Sequence, residues 1–164
     1  MSLLELPHTA GCLVCGPSNP HGLKLSLHVD PATGHVRVNY EPAKHHNGFE
    51  GIVHGGALAT VIDEAMVWAA TWAGKRFCVC GEMTVRYRTP AVAGQTLRIE
   101  ARVETSRAKL ILTTAEALDA RGNIVATASG KYVPVSIERN RDILATFLDA
   151  PHTAAAAGLL RSEP

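Results

Sequence analysis

The sequence predicts an α+β fold in which a curved antiparallel sheet is rolled around one long helix. Residues 54–73 form the longest apolar segment of the chain, and the charges within it are Asp63 and Glu64. A helix that is apolar on nearly every side is normally buried on every side. The segments around it alternate apolar and polar residues and are joined by short turns, which is typical of antiparallel strands. The expected order of elements is β-β-α-β-β-β-β.

Six strands and a second, shorter helix complete this prediction. The strands are expected at 23–29, 35–41, 77–89, 96–106, 108–119 and 123–135, and an amphipathic helix at 138–149. In the third strand, one face should carry Phe77, Val79, Met83, Val85 and Tyr87, and the other Cys78, Cys80, Glu82, Thr84, Arg86 and Arg88. Residues 151–164 are expected to form a loosely held tail.

Length and charge restrict the domain organisation and the class of function. The 164 residues should form one domain, with its core at about 22–135, an N-terminal loop at 1–21, and a C-terminal helix and tail at 138–164. A net charge of +1 gives no basic field for nucleic acid. Each charge in the apolar segment would cost roughly 2.5–3.5 kcal/mol at the centre of a bilayer, so no membrane span is expected. Since the first residues also lack the features of a signal peptide, a cytoplasmic location is predicted.

The four cysteines form one C-x-x-C, Cys12 and Cys15, and one C-x-C, Cys78 and Cys80. A cytosolic chain keeps its thiols reduced, so a disulfide framework is not expected. A zinc site of four thiolates is conceivable, but the second spacing is short for a zinc knuckle. Small buried side chains are the favoured interpretation, and no metal site is predicted.

The two carboxylates of the apolar helix lie on different faces, because adjacent helical positions point about 100° apart. Asp63 shares its face with Gly56, Ala59 and Thr60, which are small and leave room for a ligand. Glu64 has a more closed environment. A carboxylate partly withdrawn from water is a good general base, so Asp63 is the stronger catalytic candidate.

The start of the helix offers an electrophilic site. Its first N–H groups have no intrahelical partner and carry the positive end of the helix dipole. Gly55 and Gly56 place no side chain there, so a carbonyl oxygen could approach these amides and be polarised. His54 could steady the loop or contact the ligand. Each feature alone also suits a structural role, in helix packing, hydrogen bonding or backbone capping. Together they favour attack by water on an activated acyl group.

The same residues carry a family resemblance. HGGALATVIDEA resembles the central helix motif of hotdog-fold acyl-CoA thioesterases, the group around the phenylacetate-degradation and 4-hydroxybenzoyl-CoA thioesterases. The resemblance runs from about Gly22 to Val133. It includes NGFEGIVHGG, MTVRYRTPAVAG and DARGNIVATASGKYV, and the leader CLVCGPSNPHGLKL is similar to that of many members.

This resemblance implies a homodimer, or a homotetramer built as a dimer of dimers, with active sites at the subunit interface. Gly55 would polarise the thioester carbonyl through its N–H group, and His54 would hold the carbonyl end of the site. Asp63 would come from the other subunit, either activating water or attacking directly. Asn47 lies in the loop where related enzymes often carry Asn or Gln near the thioester.

The resemblance also implies secondary site residues. Cys80 stands where some relatives carry a Ser or Thr on the strand after the helix, and Thr84 follows it on that strand. Other relatives use Glu on the helix, which makes Glu64 a minor candidate. Coenzyme A carries phosphates, so basic residues such as Arg88 are expected at the mouth of the site. Coenzyme A is part of the substrate, and no separate cofactor is expected.

Thioester hydrolysis is therefore the favoured function, and two alternatives stay open. A hotdog-fold hydratase or dehydratase acting on acyl thioesters would use a histidine as its main base, opposite a carboxylate. A non-catalytic acyl-CoA-binding module would need no base at all. Trp68, Trp72 and Met66 are expected in the core, although they could line an acyl pocket.

Overall fold

A computed structural model describes residues 2–162 of the chain. The seven strands in this range are β1 (Leu4–Glu5), β2 (Leu27–Val29), β3 (Val36–Tyr40), β4 (Cys78–Tyr87), β5 (Leu97–Arg107), β6 (Leu110–Leu118) and β7 (Ile124–Pro134). The helices are α1 (Gly55–Gly74), α2 (Ile137–Leu144) and α3 (Ala154–Arg161), and a short 3-10 helix covers Lys44–His46.

All strands belong to one antiparallel sheet in the order β1-β2-β3-β5-β6-β7-β4. Helix α1 packs on the sheet, contacting β5 most extensively and β3, β4, β6 and β7 as well. Its buried residues are Leu58, Val61, Ile62, Ala65, Met66, Trp68, Ala69, Ala70, Thr71 and Trp72. The predicted fold class, a sheet wrapped around one apolar helix, is confirmed. The expected core positions of Trp68, Trp72 and Met66 are confirmed with it.

The end of α1 follows from how closely it approaches the sheet. The helix ends at Gly74, and Lys75 then adopts a left-handed conformation with a φ of 51°. A Cβ atom added to Gly74 would lie 2.7 Å from Cδ1 of Ile111 on β6. Glycine at this position therefore lets the last turn of the helix pack against the sheet.

A bulge in β4 changes which of its side chains face α1. The pairing of β4 with β7 shifts at Gly81, which is an extra residue on β4. Before the bulge, Cys78 is buried and Val79 is 54% exposed; after it, Met83 packs against the core. The prediction that Val79 and Met83 share a face is wrong, because a bulge reverses the alternation of side chains. Cys80 accordingly lies on the α1 side of β4 and not with the later polar residues.

The N-terminal segment is more ordered than the predicted loop. Strand β1 pairs with β2 at the edge of the sheet. The strand predicted at 23–29 is shorter in the structure, because the N–H groups of Leu23 and Leu25 donate to the carbonyls of Leu13 and Val14 instead of joining the sheet. The leader therefore folds back on itself beside the sheet.

The C-terminal segment is not a loosely held tail in the part that the structure describes. Residues 154–161 form α3, which contacts β1 and buries Ala156, Ala157 and Leu160. Consecutive alanines favour a helix, and their small side chains allow it to pack closely. Glu163 and Pro164, the end of the predicted tail, lie outside the described residues.

Across residues 2–162, every helix is too short or too polar to cross a membrane.

Candidate active site

A cavity of about 510 Å³ opens at the N-terminal end of α1. Its floor is formed by the start of the helix, and its walls come from the loop before α1 and from the segment after β4. The lining residues are Gly48, Phe49, Ile52, Val53, His54, Gly55, Leu58, Tyr87, Arg88, Thr89, Pro90 and Ala91. Three residues predicted for the site, His54, Gly55 and Arg88, thus meet around one cavity.

The first two amides of α1 differ in their hydrogen bonding. His54 is the N-cap residue, and its Nδ1 accepts a hydrogen bond of 2.9 Å from the N–H group of Gly56. The prediction of two bare amides is therefore wrong for Gly56. The N–H group of Gly55 has no partner within residues 2–162. Gly55 thus supplies the free donor that points out of the helix toward the cavity.

Tyr87 fixes the other side of the helix start. Its hydroxyl donates a hydrogen bond of 2.7 Å to the carbonyl of Gly55. A Cβ atom added to Gly55 would lie 3.2 Å from the Tyr87 ring and hydroxyl, so glycine permits this close contact. Tyr87 therefore positions the residue whose N–H group faces the cavity.

Asp63 lies on α1 outside this cavity, in a second cluster of polar groups. The hydroxyl of Tyr132 on β7 donates a hydrogen bond of 2.7 Å to Oδ1 of Asp63. Cys80 pairs with Tyr132 across β4 and β7, and its thiol interacts with both residues. Burial, followed by the charge of Asp63, raises the pKa of the Cys80 thiol, and burial and the hydrogen bond to Asp63 raise the pKa of Tyr132.

The two clusters are far apart within one chain. From Gly55 to Asp63 the helix rises by about 12 Å, since each residue adds about 1.5 Å. A carbonyl group bound at the Gly55 amide is therefore beyond hydrogen-bonding reach of the same chain's Asp63.

Glu64 faces a third environment. Its Oε1 accepts a hydrogen bond of 3.0 Å from Nε1 of Trp68, and the Sγ of Cys12 lies 3.8 Å from the same oxygen. Burial raises the pKa of Glu64 to about 7. Because this carboxylate lies against the N-terminal leader, it is separate from both Gly55 and the Asp63 cluster.

The remaining predicted residues are dispersed. Asn47 lines a neighbouring surface pocket, and its buried Oδ1 has no hydrogen-bond partner within the described chain. Thr84 is exposed on β4, on the face that points away from α1. The structure therefore does not bring Thr84 together with Cys80, although the sequence pattern put them on one face.

The four cysteines do not come together in residues 2–162. Cys12 and Cys15 lie beside Glu64, whereas Cys80 lies beside Asp63. Cys78 is buried, and its N–H group donates to the hydroxyl of Thr71. A site of four thiolates is therefore not formed.

Two tyrosines in these clusters were not predicted. Tyr87 was expected only as one apolar residue of an alternating strand. The hydroxyl of Tyr132 is bonded to Asp63, which is 69 residues away in the sequence. A tyrosine that alternates with buried residues can indicate a hydroxyl that needs a buried partner. Both tyrosines lie in an alternating strand pattern, but this pattern does not show which residue each hydroxyl binds.

The family model described as the thioesterase superfamily matches residues 50–126, which include the helix start, α1 and β4. The matched segment makes up a little under half of the chain, and the thioesterase superfamily is what this segment is similar to. None of the curated proteins matches the chain in sequence.

Several solved structures share the fold. A thioesterase superfamily protein is 23% identical with a TM-score of 0.69, over 76% of this chain and 60% of that chain. The E. coli PaaI protein from the phenylacetic acid degradation operon is 23% identical with a TM-score of 0.60, over 63% of this chain and 75% of that chain. A Streptococcus mutans UA159 protein bound to acetyl CoA is 21% identical with a TM-score of 0.60, over 63% of this chain and 83% of that chain. At these identities the likeness shows the fold alone, which is the predicted hotdog fold.

Proposed function

We propose that this protein hydrolyses the thioester bond of an acyl- or aryl-acyl-coenzyme A, releasing the free acid and coenzyme A. The observation that carries the proposal is the unpartnered Gly55 N–H group at the floor of a cavity of about 510 Å³. The superfamily match and the acetyl CoA bound to the S. mutans relative support a thioester ligand.

The proposed electrophilic step uses the start of α1. The thioester carbonyl oxygen accepts a hydrogen bond from the Gly55 N–H group at the positive end of the helix dipole. This donor strengthens its interaction as the carbonyl oxygen gains negative charge during attack. The Tyr87 hydroxyl, bonded to the Gly55 carbonyl, keeps the peptide unit in place.

The proposed basic group is Asp63. As general base, its carboxylate takes a proton from water while the water oxygen bonds to the thioester carbon. Collapse of the tetrahedral intermediate then expels the coenzyme A thiolate, which takes up a proton. As nucleophile, the same carboxylate would attack the thioester carbon and expel the coenzyme A thiolate, which takes up a proton. Water would then hydrolyse the resulting anhydride to the free acid and the Asp63 carboxylate. The Tyr132 hydroxyl orients Asp63 in either case.

The axial distance of about 12 Å between Gly55 and Asp63 of one chain means that the two groups must come from different subunits. Strand β4 supports a homodimer, because it is a ten-residue strand at the edge of the sheet with an unpaired backbone side. Such an edge is a template for pairing with a second chain. Its exposed apolar side chains include Val79 and Tyr87.

The geometry of β4 also supports how the two halves of the site would meet. Cys80 contacts Asp63 near one end of β4, and Tyr87 contacts Gly55 at the other end. An antiparallel pairing of two β4 edges centred near Met83 would bring Cys80 close to Tyr87 of the partner subunit. Each Asp63 would then lie near the helix start of the other copy. A further pairing of dimers into a tetramer is part of the family expectation and has no separate support.

The lining of the cavity suits an apolar acyl group beside a charged carrier. Phe49, Ile52, Leu58 and Pro90 provide apolar walls, and Phe49 is 81% exposed at the rim. Arg88 lines the same cavity and would face a phosphate or the pantetheine chain of coenzyme A. No cofactor other than the substrate's own coenzyme A enters this proposal.

The state of His54 favours hydrolysis over hydration. Its Nδ1 accepts the Gly56 N–H group, so in the neutral ring the proton sits on Nε2. That tautomer offers a donor toward the cavity and leaves no free nitrogen to act as a base. A hydratase would need such a base at this position.

The test is a panel of acyl-coenzyme A thioesters with a reagent for free thiols. The wild-type chain should release coenzyme A from at least one panel member. Asp63→Asn should lower kcat by at least about 100-fold, as loss of a general base does. Asp149→Asn is the matched control, because its side chain is 96% exposed and is not among the residues that line the cavity. Hydrolysis by Asp63→Asn at the wild-type rate would exclude the assignment of Asp63, and binding of every thioester without turnover would favour a non-catalytic module.

A further inference from the structure

The leader packs a pair of cysteines against α1, away from the proposed hydrolytic site. Cys12 and Cys15 lie beside Glu64, and the two sulfur atoms and one carboxylate oxygen all lie within 4.8 Å of one another. Cys15 is buried, while Cys12 and Glu64 are half-buried. Two thiol sulfur atoms and a carboxylate oxygen, all of which are known ligands of zinc, therefore lie close together.

The turn that carries the cysteines is shaped around the Cys12 sulfur. The N–H groups of Val14 and Cys15 point at Cys12 Sγ, at 3.3 and 3.4 Å. Gly16 closes the turn, and a Cβ atom added there would lie 2.4 Å from the carbonyl oxygen of Cys12. Backbone amides directed at a sulfur atom stabilise a thiolate, which is the form that binds metal.

The backbone holds this turn in register with the rest of the leader. Leu13 and Val14 accept hydrogen bonds of 2.8 Å from the N–H groups of Leu23 and Leu25. These contacts fix the loop between the two cysteines on both sides. The folded backbone of the leader therefore holds the two cysteines beside Glu64.

Glu64 is the feature that the hydrolytic proposal leaves unexplained. It is one of two acidic side chains on a largely apolar helix, and it has no ion-pair partner within residues 2–162. A carboxylate withdrawn from water needs either a proton or a cation. Trp68 donates to one of its oxygens, as a group behind a metal ligand commonly does.

We propose that Cys12, Cys15 and Glu64 bind a divalent cation of the zinc class. Zinc binds thiolates at about 2.3 Å and carboxylate oxygens at about 2.0–2.2 Å, so its tetrahedral ligand atoms lie roughly 3.6–3.8 Å apart. Sγ of Cys12 and Oε1 of Glu64 are 3.8 Å apart, and all three ligand atoms lie within 4.8 Å of one another, so they close on one ion with shifts of at most about 1 Å. Two thiolates and one carboxylate leave the fourth tetrahedral position to water. The ion would fasten the leader to α1 at the residue next to Asp63. This site does not depend on the proposed hydrolysis.

A C-x-x-C pair can also serve as a dithiol that is oxidised by a disulfide-containing oxidant. The converging carboxylate favours metal binding, because a disulfide would leave Glu64 still without a cation. Metal analysis of the reduced chain separates cation binding from dithiol oxidation.

The experiment uses the full chain without an affinity tag, reduced and stripped of metal by a chelator. Zn²⁺ and Co²⁺ are added as probes, and bound metal is counted by mass spectrometry. We expect one ion per chain, with thiolate-to-cobalt charge-transfer bands in the Co²⁺ spectrum. Cys12→Ala and Cys15→Ala should lose the ion. Glu64→Gln should bind at least about 10-fold more weakly, since losing even an outer-shell partner has an effect of that size.

Cys80→Ala is the matched control, because this cysteine lies outside the cluster, and it should keep the full metal content. If circular dichroism shows that a cysteine variant does not fold, the wild-type Co²⁺ spectrum and the metal affinity of Glu64→Gln still test the proposed site. A reduced wild-type chain that gives no thiolate–cobalt bands would overturn the proposal. A Cys12–Cys15 disulfide found together with that result would assign the pair to redox chemistry.

Discussion

The N–H group of Gly55 can be removed without removing the helix that carries it. Proline is well tolerated at the first position of a helix, where its missing N–H breaks no intrahelical bond. The preceding residue, His54, has a φ of −61° and a ψ of 129°, which is the extended conformation that a residue before proline prefers. Gly55→Pro should therefore keep α1 and lower kcat by about 100- to 1,000-fold, as loss of one oxyanion donor does.

Gly55→Ala is the matched control for this change. It keeps the N–H group and adds the same Cβ atom, 3.2 Å from Tyr87, so any effect of crowding is present in both variants. The measurement is steady-state kcat and KM for the best thioester of the panel, with circular dichroism to verify the helix. Equal losses in the two variants would assign the effect to crowding and count against the amide.

The sequence alone pointed to the residues at the start of α1 but not to the two tyrosines that contact the candidate site residues. Gly55 and His54 could be found because helix capping acts between neighbours in the chain, at a spacing that the sequence displays. Tyr87 and Tyr132 were missed because their partners are 32 and 69 residues away. Contacts of that kind depend on strand register, which no local pattern specifies.

The 3-10 helix at Lys44–His46 contains a histidine whose protonation should affect the stability of the loop before α1. The Nδ1 atom of His46 accepts a hydrogen bond from the Ala43 N–H group, and the His46 carbonyl accepts one from the His54 N–H group. Burial, followed by the charge of His45, lowers the pKa of His46 from its usual 6.5. The neutral ring is therefore the form that the folded loop requires.

This lowered pKa gives a sign for the pH dependence of stability. Because the unfolded chain binds the proton more readily than the folded chain, the free energy of unfolding should fall as the pH drops below 6.5. Above 6.5 the ring is neutral in both states, and this contribution is constant. His46→Gln should flatten the dependence, and His21→Gln, at an exposed histidine elsewhere, should not.

The check is denaturant unfolding of the three proteins at a series of pH values from about 7.5 to about 5. The difference in the free energy of unfolding between wild type and His46→Gln should change with pH over that interval. The difference between wild type and His21→Gln should stay constant. A wild-type curve parallel to that of His46→Gln would contradict the role of the imidazole.

Entire elements were predicted well where their apolar periodicity is long and poorly where it is interrupted. The strands β5, β6 and β7 and the helix α1 match their predicted ranges to within about two residues, because burial imposes a continuous pattern on each. The faces of β4 were partly wrong because one extra residue at Gly81 inverts the alternation. The helix α3 was missed because a segment of small residues carries little periodicity, and its burial depends on β1.

The proposed active site is divided between two copies, and this arrangement can be tested by mixing two inactive variants. Asp63→Asn and Gly55→Pro should each be inactive alone, because each removes one half of both sites. A mixed dimer would hold one intact site, formed by Gly55 of one copy and Asp63 of the other. With random exchange, half of the dimers are mixed, so about one quarter of the wild-type activity should return.

The measurement is thioester hydrolysis after subunit exchange, with light scattering to establish the mass of the particle. A mixture of Asp63→Asn with Asp63→Ala is the control and should recover nothing. If the mixed dimer is demonstrated by mass spectrometry and stays inactive, both halves of each site belong to one chain, and the shared arrangement is refuted.

The positions of the two tryptophans provide a fluorescence signal at one of the two proposed sites. Trp68 and Trp72 both lie on α1, 5% and 4% exposed, and the indole N–H group of Trp68 is bonded to Glu64. The cavity at Gly55 has no tryptophan in its lining within the described chain. Indole emission should therefore respond when a cation changes the charge at Glu64. It should stay nearly silent when a thioester enters the cavity, so the two events can be followed separately in one unlabelled sample.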